Sequence, residues 1–189
     1  MPNPGVRTAA AESTQQVYDR GTIILHWLTA VLVVSLFASA ETWAFLPRGT
    51  ALRGELQTLH ISLGISLAAT IITRLVWRLA LGRRLPPATT GLQAIVAKTV
   101  HIALYVLLGL QVALGFLFRW VQNEPFAFFG LFTIPHVALA PGLRSTFGWL
   151  HNNVAWAIII IAGIHALAAL LHHYVLKDRV LTRMLPAKS

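Results

Sequence analysis

Four apolar stretches constrain this chain more than any other feature. They run from about Thr22 to Ala40, Thr58 to Leu81, Ala94 to Phe118 and Phe147 to Tyr174. Each has the roughly 20 residues that a helix needs to cross about 30 Å of hydrocarbon. None alternates polar with apolar positions over about ten residues, as a β-barrel strand does. Composition points the same way: of 189 residues, 56% are hydrophobic and 11% charged, where a soluble domain carries about 25% charged residues. So little charge cannot coat a water-facing surface, and disordered or ordinary soluble classes drop out. The absence of cysteine also removes disulfide scaffolds, iron–sulfur clusters, covalent CxxCH haem attachment and thiolate catalysis. The fold class is an all-α membrane protein, a bundle of four transmembrane helices (about 22–40, 58–81, 94–118 and 147–174).

Residues 1–21 are polar and carry Arg7, Glu12, Asp19 and Arg20, so no cleavable signal peptide precedes the first span. Residues 1–17 are expected to form a disordered cytoplasmic lead-in. An even number of spans puts both termini on one side. That side, with the second loop, holds Arg7, Arg20, Arg74, Arg78, Arg83, Arg84, Lys98, Lys177, Arg179, Arg183 and Lys188. The first and third loops hold only Arg48, Arg53, Arg119 and Arg144. This bias places both termini in the cytoplasm. The net charge of +9 therefore lies at span ends, where anionic lipid head groups are its partner, and no basic groove suggests nucleic acid. The first loop is expected at about 41–57. The third, residues 119–146, mixes Pro125, Pro135 and Pro141 with Phe126, Phe128, Phe129 and Phe132 and is expected to lie along the outer membrane surface.

Eight histidines occur, and His26, His60, His101, His151 and His165 fall within the spans. An ionisable side chain inside a membrane is costly and points to function. By depth they form two layers. His60 and His151 lie toward the outside, and His26, His101 and His165 toward the cytoplasm. His151 and His165 are 14 residues apart, about 21 Å along a helix and within about 40° of a whole number of turns. One helix thus points two histidines the same way at two depths, which suits stacked sites in a bundle core. Zinc asks for three or four close ligands, more than the two of the outer layer and at most the three of the inner one. Haem iron needs one or two axial ligands, and Met1 and Met184 both lie outside the spans, which leaves bis-histidine ligation of two haem b groups in the bundle core. The residues pair His60 with His151 and leave His26 and His101 competing for His165. Small residues flank these positions (Ser62, Gly64, Ser66, Gly163, Ala166 and Ala168), and close helix packing explains them equally well. Arg74 and Arg78 suit haem propionates through their planar forks, or snorkelling at the span end. No carboxylate lies inside a predicted span, which argues against an ion pump.

The segments YDRGTIILHWL, LHISLGISL, KTVHIALYVLLGLQVALG and HHYVLKDRVLTRMLP, in this order and spacing, resemble the bacterial cytochrome b561 family over residues 18–186. The resemblance implies a four-helix, two-haem membrane domain with His26 and His165 on the cytoplasmic-side haem and His60 and His151 on the outer one. It also implies a quinone beside His101 and His172, with ubiquinone as electron acceptor. The member activity it suggests is superoxide oxidation, in which a donor at the outer face passes electrons to the ubiquinone pool. Arg48, Arg53, Arg119 and Arg144 would draw a small anion to that face, and a histidine could supply protons to quinone. No catalytic residue is assigned. The alternative is a haem b electron-transfer subunit serving a hydrogenase or other dehydrogenase as protein redox partner. His172 and His173, next to Tyr174, could equally be interfacial anchors.

Overall fold

In a computed structural model, the structure describes residues 17–186; the expected lead-in therefore lies almost wholly outside the described residues. Four long helices follow one another: α1 Arg20–Ala44, α2 Ala51–Ala80, α3 Gly91–Trp120 and α4 Arg144–Tyr174. None of the nine prolines falls inside them, as expected where lipid cannot satisfy a broken backbone hydrogen bond. All four are long and apolar enough to cross a membrane. Each extends beyond its predicted apolar run, α2 by seven residues at its start. Thirty residues of helix span about 45 Å, the thickness of a bilayer with its head groups. Glu41 and Glu55 thus sit in helical end turns, and the first loop shrinks from the expected 41–57 to 45–50.

The helices pack chiefly as two antiparallel pairs, α1 with α2 and α3 with α4. Between the pairs lies a small core to which each helix contributes one buried residue: Leu32, Leu67, Leu108 and Ile158. Each is six or seven residues, about 10 Å, from a histidine of its own helix. The core is therefore a mid-depth apolar plug with histidines above and below it. Large apolar side chains such as Val31, Ile72, Val106 and Ile160 face outward, the arrangement that lipid requires.

Both ends are tied. At the end where α1 begins and α4 finishes, here the near end, Asp19 caps α1 by accepting from the Thr22 N–H at 2.9 Å. The same carboxylate accepts from the Trp77 indole at 2.8 Å and the Arg83 N–H at 3.0 Å, clasping α1 to the end of α2. Gly21 makes this possible, because a Cβ there would lie 2.3 Å from the Trp77 ring. Burial opposes ionisation of Asp19, but its hydrogen bonds from Thr22, Arg83 and Trp77 outweigh that and hold the carboxyl well below the usual carboxylate range. After α4 the chain turns back beneath the bundle, where the Trp27 indole donates to the Met184 carbonyl at 2.8 Å and Arg183 to that of Pro86 at 2.7 Å.

At the far end the third loop forms a two-stranded antiparallel hairpin, β1 Phe126–Phe128 and β2 Phe132–Ile134. Ser62, fully buried on α2, accepts from the Phe129 N–H at 3.0 Å and so fastens the hairpin to the bundle. The Phe126 side chain is buried, while Leu131 and Phe132 at the turn stay exposed.

Candidate haem sites

The helix packing brings the intramembrane histidines together in two places. Toward the far end, His60 of α2 and His151 of α4 have ring centroids 6.3 Å apart with planes at 73°. Toward the near end, His26 of α1 and His165 of α4 are 6.4 Å apart, again at 73°. Each pair bridges the two helix pairs. His101 of α3 joins the near group, with its ring 5.2 Å from that of His165. Among the described residues, no three His, Asp or Glu side chains come together to hold a bare metal ion.

Coordination chemistry provides a test of fit. An iron held between two imidazole nitrogens at about 2 Å, each about 1.1 Å from its ring centre, sets the centroids about 6.2 Å apart. The His60–His151 and His26–His165 pairs match this spacing. The His101–His165 pair is too close to admit an iron between the rings. A second observation concerns His151: among the described residues its buried Nδ1 has no hydrogen-bond partner, nor has Oε1 of Gln111, whose amide lies 3.2 Å from His151 Nε2. A buried ring nitrogen that the protein leaves unsatisfied is free to bind another group. These residues fit haem b with two axial histidines.

The profile of prokaryotic cytochrome b561 covers residues 17–187. The chain belongs to the prokaryotic cytochrome b561 family. It is 30% identical over 179 residues to cytochrome b561 homolog 2 of Escherichia coli, covering 94% of this chain and 95% of that one. It is 33% identical to a probable superoxide oxidase CybB of Yersinia pestis (87% and 93% covered) and 31% to cytochrome b562 of Cereibacter sphaeroides (89% and 94%). This is a multi-pass membrane cytochrome b of the electron-transfer type, for which the family implies haem b.

The supporting residues of this cytochrome b561 differ from layer to layer. His60 Nδ1 lies 3.0 Å from the Leu36 carbonyl and 3.1 Å from Ser39 Oγ, and Trp43 packs edge-on against its ring. Donation to a carbonyl fixes the tautomer and leaves Nε2 free as a ligand. Phe118 stacks near His151, and Gly115 admits the ring, since a Cβ there would lie 3.3 Å from His151 Cε1. In the near layer Arg74 donates to His26 Nδ1 at 3.1 Å and lies over the Tyr105 ring at 5.1 Å. Arg78, one turn on, is exposed. His172 donates from Nδ1 to the carboxylate of Asp178. Slight burial of Asp178 would raise its pKa, but the bonds from His172 and the Val180 N–H outweigh it and lower it. His173 packs against Tyr174 instead.

Two of the four far-end arginines are engaged within the protein. Arg53 donates to the carbonyls of Trp43 and Leu46, capping the end of α1, and Arg119 pairs with Glu124 at 3.0 Å. Arg144 is different: with Phe118, Ser145, Gly148 and Trp149 it lines an open surface depression of about 590 Å³. Sequence reading missed Leu36, Ser39, Gln111, Tyr105 and Asp178. Of these, Gln111 carries a visible signal, a polar amide inside an apolar run.

Proposed function

We propose that this cytochrome binds two haem b groups, one between His60 and His151 and one between His26 and His165, and carries electrons from a donor at the far end to ubiquinone at the near end. The positive-inside bias makes the far end outer and the near end cytoplasmic in a bacterial inner membrane. The observation that carries the reading is the pair of matched imidazole separations, stacked on either side of the apolar plug. Haem b supplies reversible one-electron chemistry when bound.

The residues divide the remaining work. Leu36 and Ser39 orient the His60 ring, and the plug of Leu32, Leu67, Leu108 and Ile158 keeps water from joining the two layers. Superoxide, the donor suggested by the Yersinia pestis relative's name, is a small anion. The open depression lined by Arg144 and by the Phe118 that stacks near His151 is where a cation lies beside an aromatic neighbour of the outer site. At the cytoplasmic end His172 Nδ1 is bonded to the Asp178 carboxylate, so Nε2 is the ring nitrogen left to meet a quinone oxygen. His101, beside His165 but outside iron-bridging distance, is a second quinone contact.

The test is direct: superoxide is added to purified oxidised protein, haem reduction is followed optically, and ubiquinone is then added. The proposal expects reduction followed by quinone-dependent reoxidation. Reduction that requires a hydrogenase or other dehydrogenase partner would replace it with the electron-carrier reading.

A further inference from the structure

The two layers differ most in what touches their histidines from behind. Every hydrogen-bond partner of the outer histidines is neutral: the Leu36 carbonyl and Ser39 hydroxyl for His60, the Gln111 amide for His151. A ligand imidazole that donates to a carbonyl becomes more basic and favours the more positive, oxidised iron. Behind His26 lies a guanidinium. The Arg74 guanidinium lies 3.1 Å from His26 Nδ1 and is held over the Tyr105 ring at 5.1 Å, half-buried within the bundle, so a fixed positive charge stands against this ring. A fixed positive charge beside a site repels a further positive charge there, and does so most strongly away from water.

Building on the two-haem reading above, we propose that Arg74 raises the reduction potential of the His26–His165 site above that of the His60–His151 site. The residue thereby gives electron transfer through the bundle its direction, outer to inner. The electron released at one site is the one taken up at the other, so no additional oxidant or reductant is involved. Arg74 is a tuning residue: it acts through His26 and through its field, not by contact with substrate.

Optical redox titration of the purified full-length protein tests this. The wild type resolves two haem components. Arg74→Gln lowers the midpoint of the higher component and leaves the lower one unmoved, so the separation narrows or inverts. Arg74→Lys keeps the charge and retains most of the wild-type separation, although it lacks the planar fork. Should Arg74→Gln shed its inner haem, His151→Ala provides a second route. It retains only the inner site, whose midpoint then matches the higher wild-type component. Unmoved midpoints in Arg74→Gln, an equal shift of both, or a lower-potential remnant in His151→Ala each overturn the role of Arg74 while leaving two haems in place. A single haem per chain in the wild type overturns the two-haem reading together with it.

Discussion

At the outer site the histidine rings are held by a backbone carbonyl, a hydroxyl and an amide. At the inner site an arginine, half-buried among apolar helices, leans on one of them. The ring separations are nevertheless almost the same, 6.3 and 6.4 Å. The comparison separates two jobs that a bundle does. Helix packing sets the ring spacing, because α4 presents His151 and His165 on one face and α1 and α2 each bring a partner to it. The groups behind the rings differ between the two sites, while that spacing does not. The same contrast extends to the ends. The near end is closed by the charged Asp19 clasp, and the far end by a hairpin fastened through the neutral hydroxyl of Ser62.

The strongest way to break the comparison is to remove a ligand. His60→Ala and His151→Ala should each lose one haem of two, and the same one. His26→Ala and His165→Ala should lose the other, measured as haem per chain and by difference spectra. His101→Ala should keep both; loss of a haem there with retention in His26→Ala would reverse the inner assignment. Next in size is the plug, which serves both layers. Leu67→Ala or Ile158→Ala should cost about 2–4 kcal/mol, seen as earlier thermal unfolding in detergent with both haem spectra affected alike. An effect confined to one layer would show that the plug does not divide them.

Smaller changes should respect the difference between the ends. Asp19→Asn removes an acceptor shared by three residues and should cost about 1–2 kcal/mol, perturbing the inner spectrum alone. Its pH signature follows from the lowered carboxyl. The unfolded group titrates near about pH 4 and the folded one lower, so the clasp contributes fully above about pH 4. That contribution is lost as pH falls through the folded value. Asp19→Asn should therefore flatten the acid end of the stability profile and leave neutral pH with only the constant loss. Ser62→Ala strands the Phe129 N–H and should cost about 1 kcal/mol, detected as faster proteolysis within the hairpin, with the inner haem untouched.

Much of this was legible in the sequence because lipid is a demanding solvent. Apolar runs long enough to span it are unmistakable, and a histidine within one stands out. The 14-residue spacing of His151 and His165 already contained the two layers. Other features carry no such mark. Leu32, Leu67, Leu108 and Ile158 look like any other apolar residue, and only packing distinguishes a plug from a lipid-facing side chain. The hairpin is built from three-residue strands, too short to show a period of two. The apolar runs end where hydrocarbon ends, whereas the helices continue through the head groups, which is why Glu41 and Glu55 proved helical. Arg53 and Arg119 could not be told from free cations until their carbonyl and carboxylate partners were seen. His26 and His101 differ by about 1 Å in their ring separation from His165, a quantity no sequence spacing resolves; in the sequence only the family resemblance favoured His26.

The central claim is that the chain holds two haems, each between two histidines. It is tested most directly by haem b content per chain of the purified wild type, measured together with the low-temperature electron paramagnetic resonance of the oxidised protein. The account predicts two haems per chain, both six-coordinate and low-spin, with no stoichiometric high-spin signal. One haem per chain, or a high-spin component equal in amount to the protein, would contradict it.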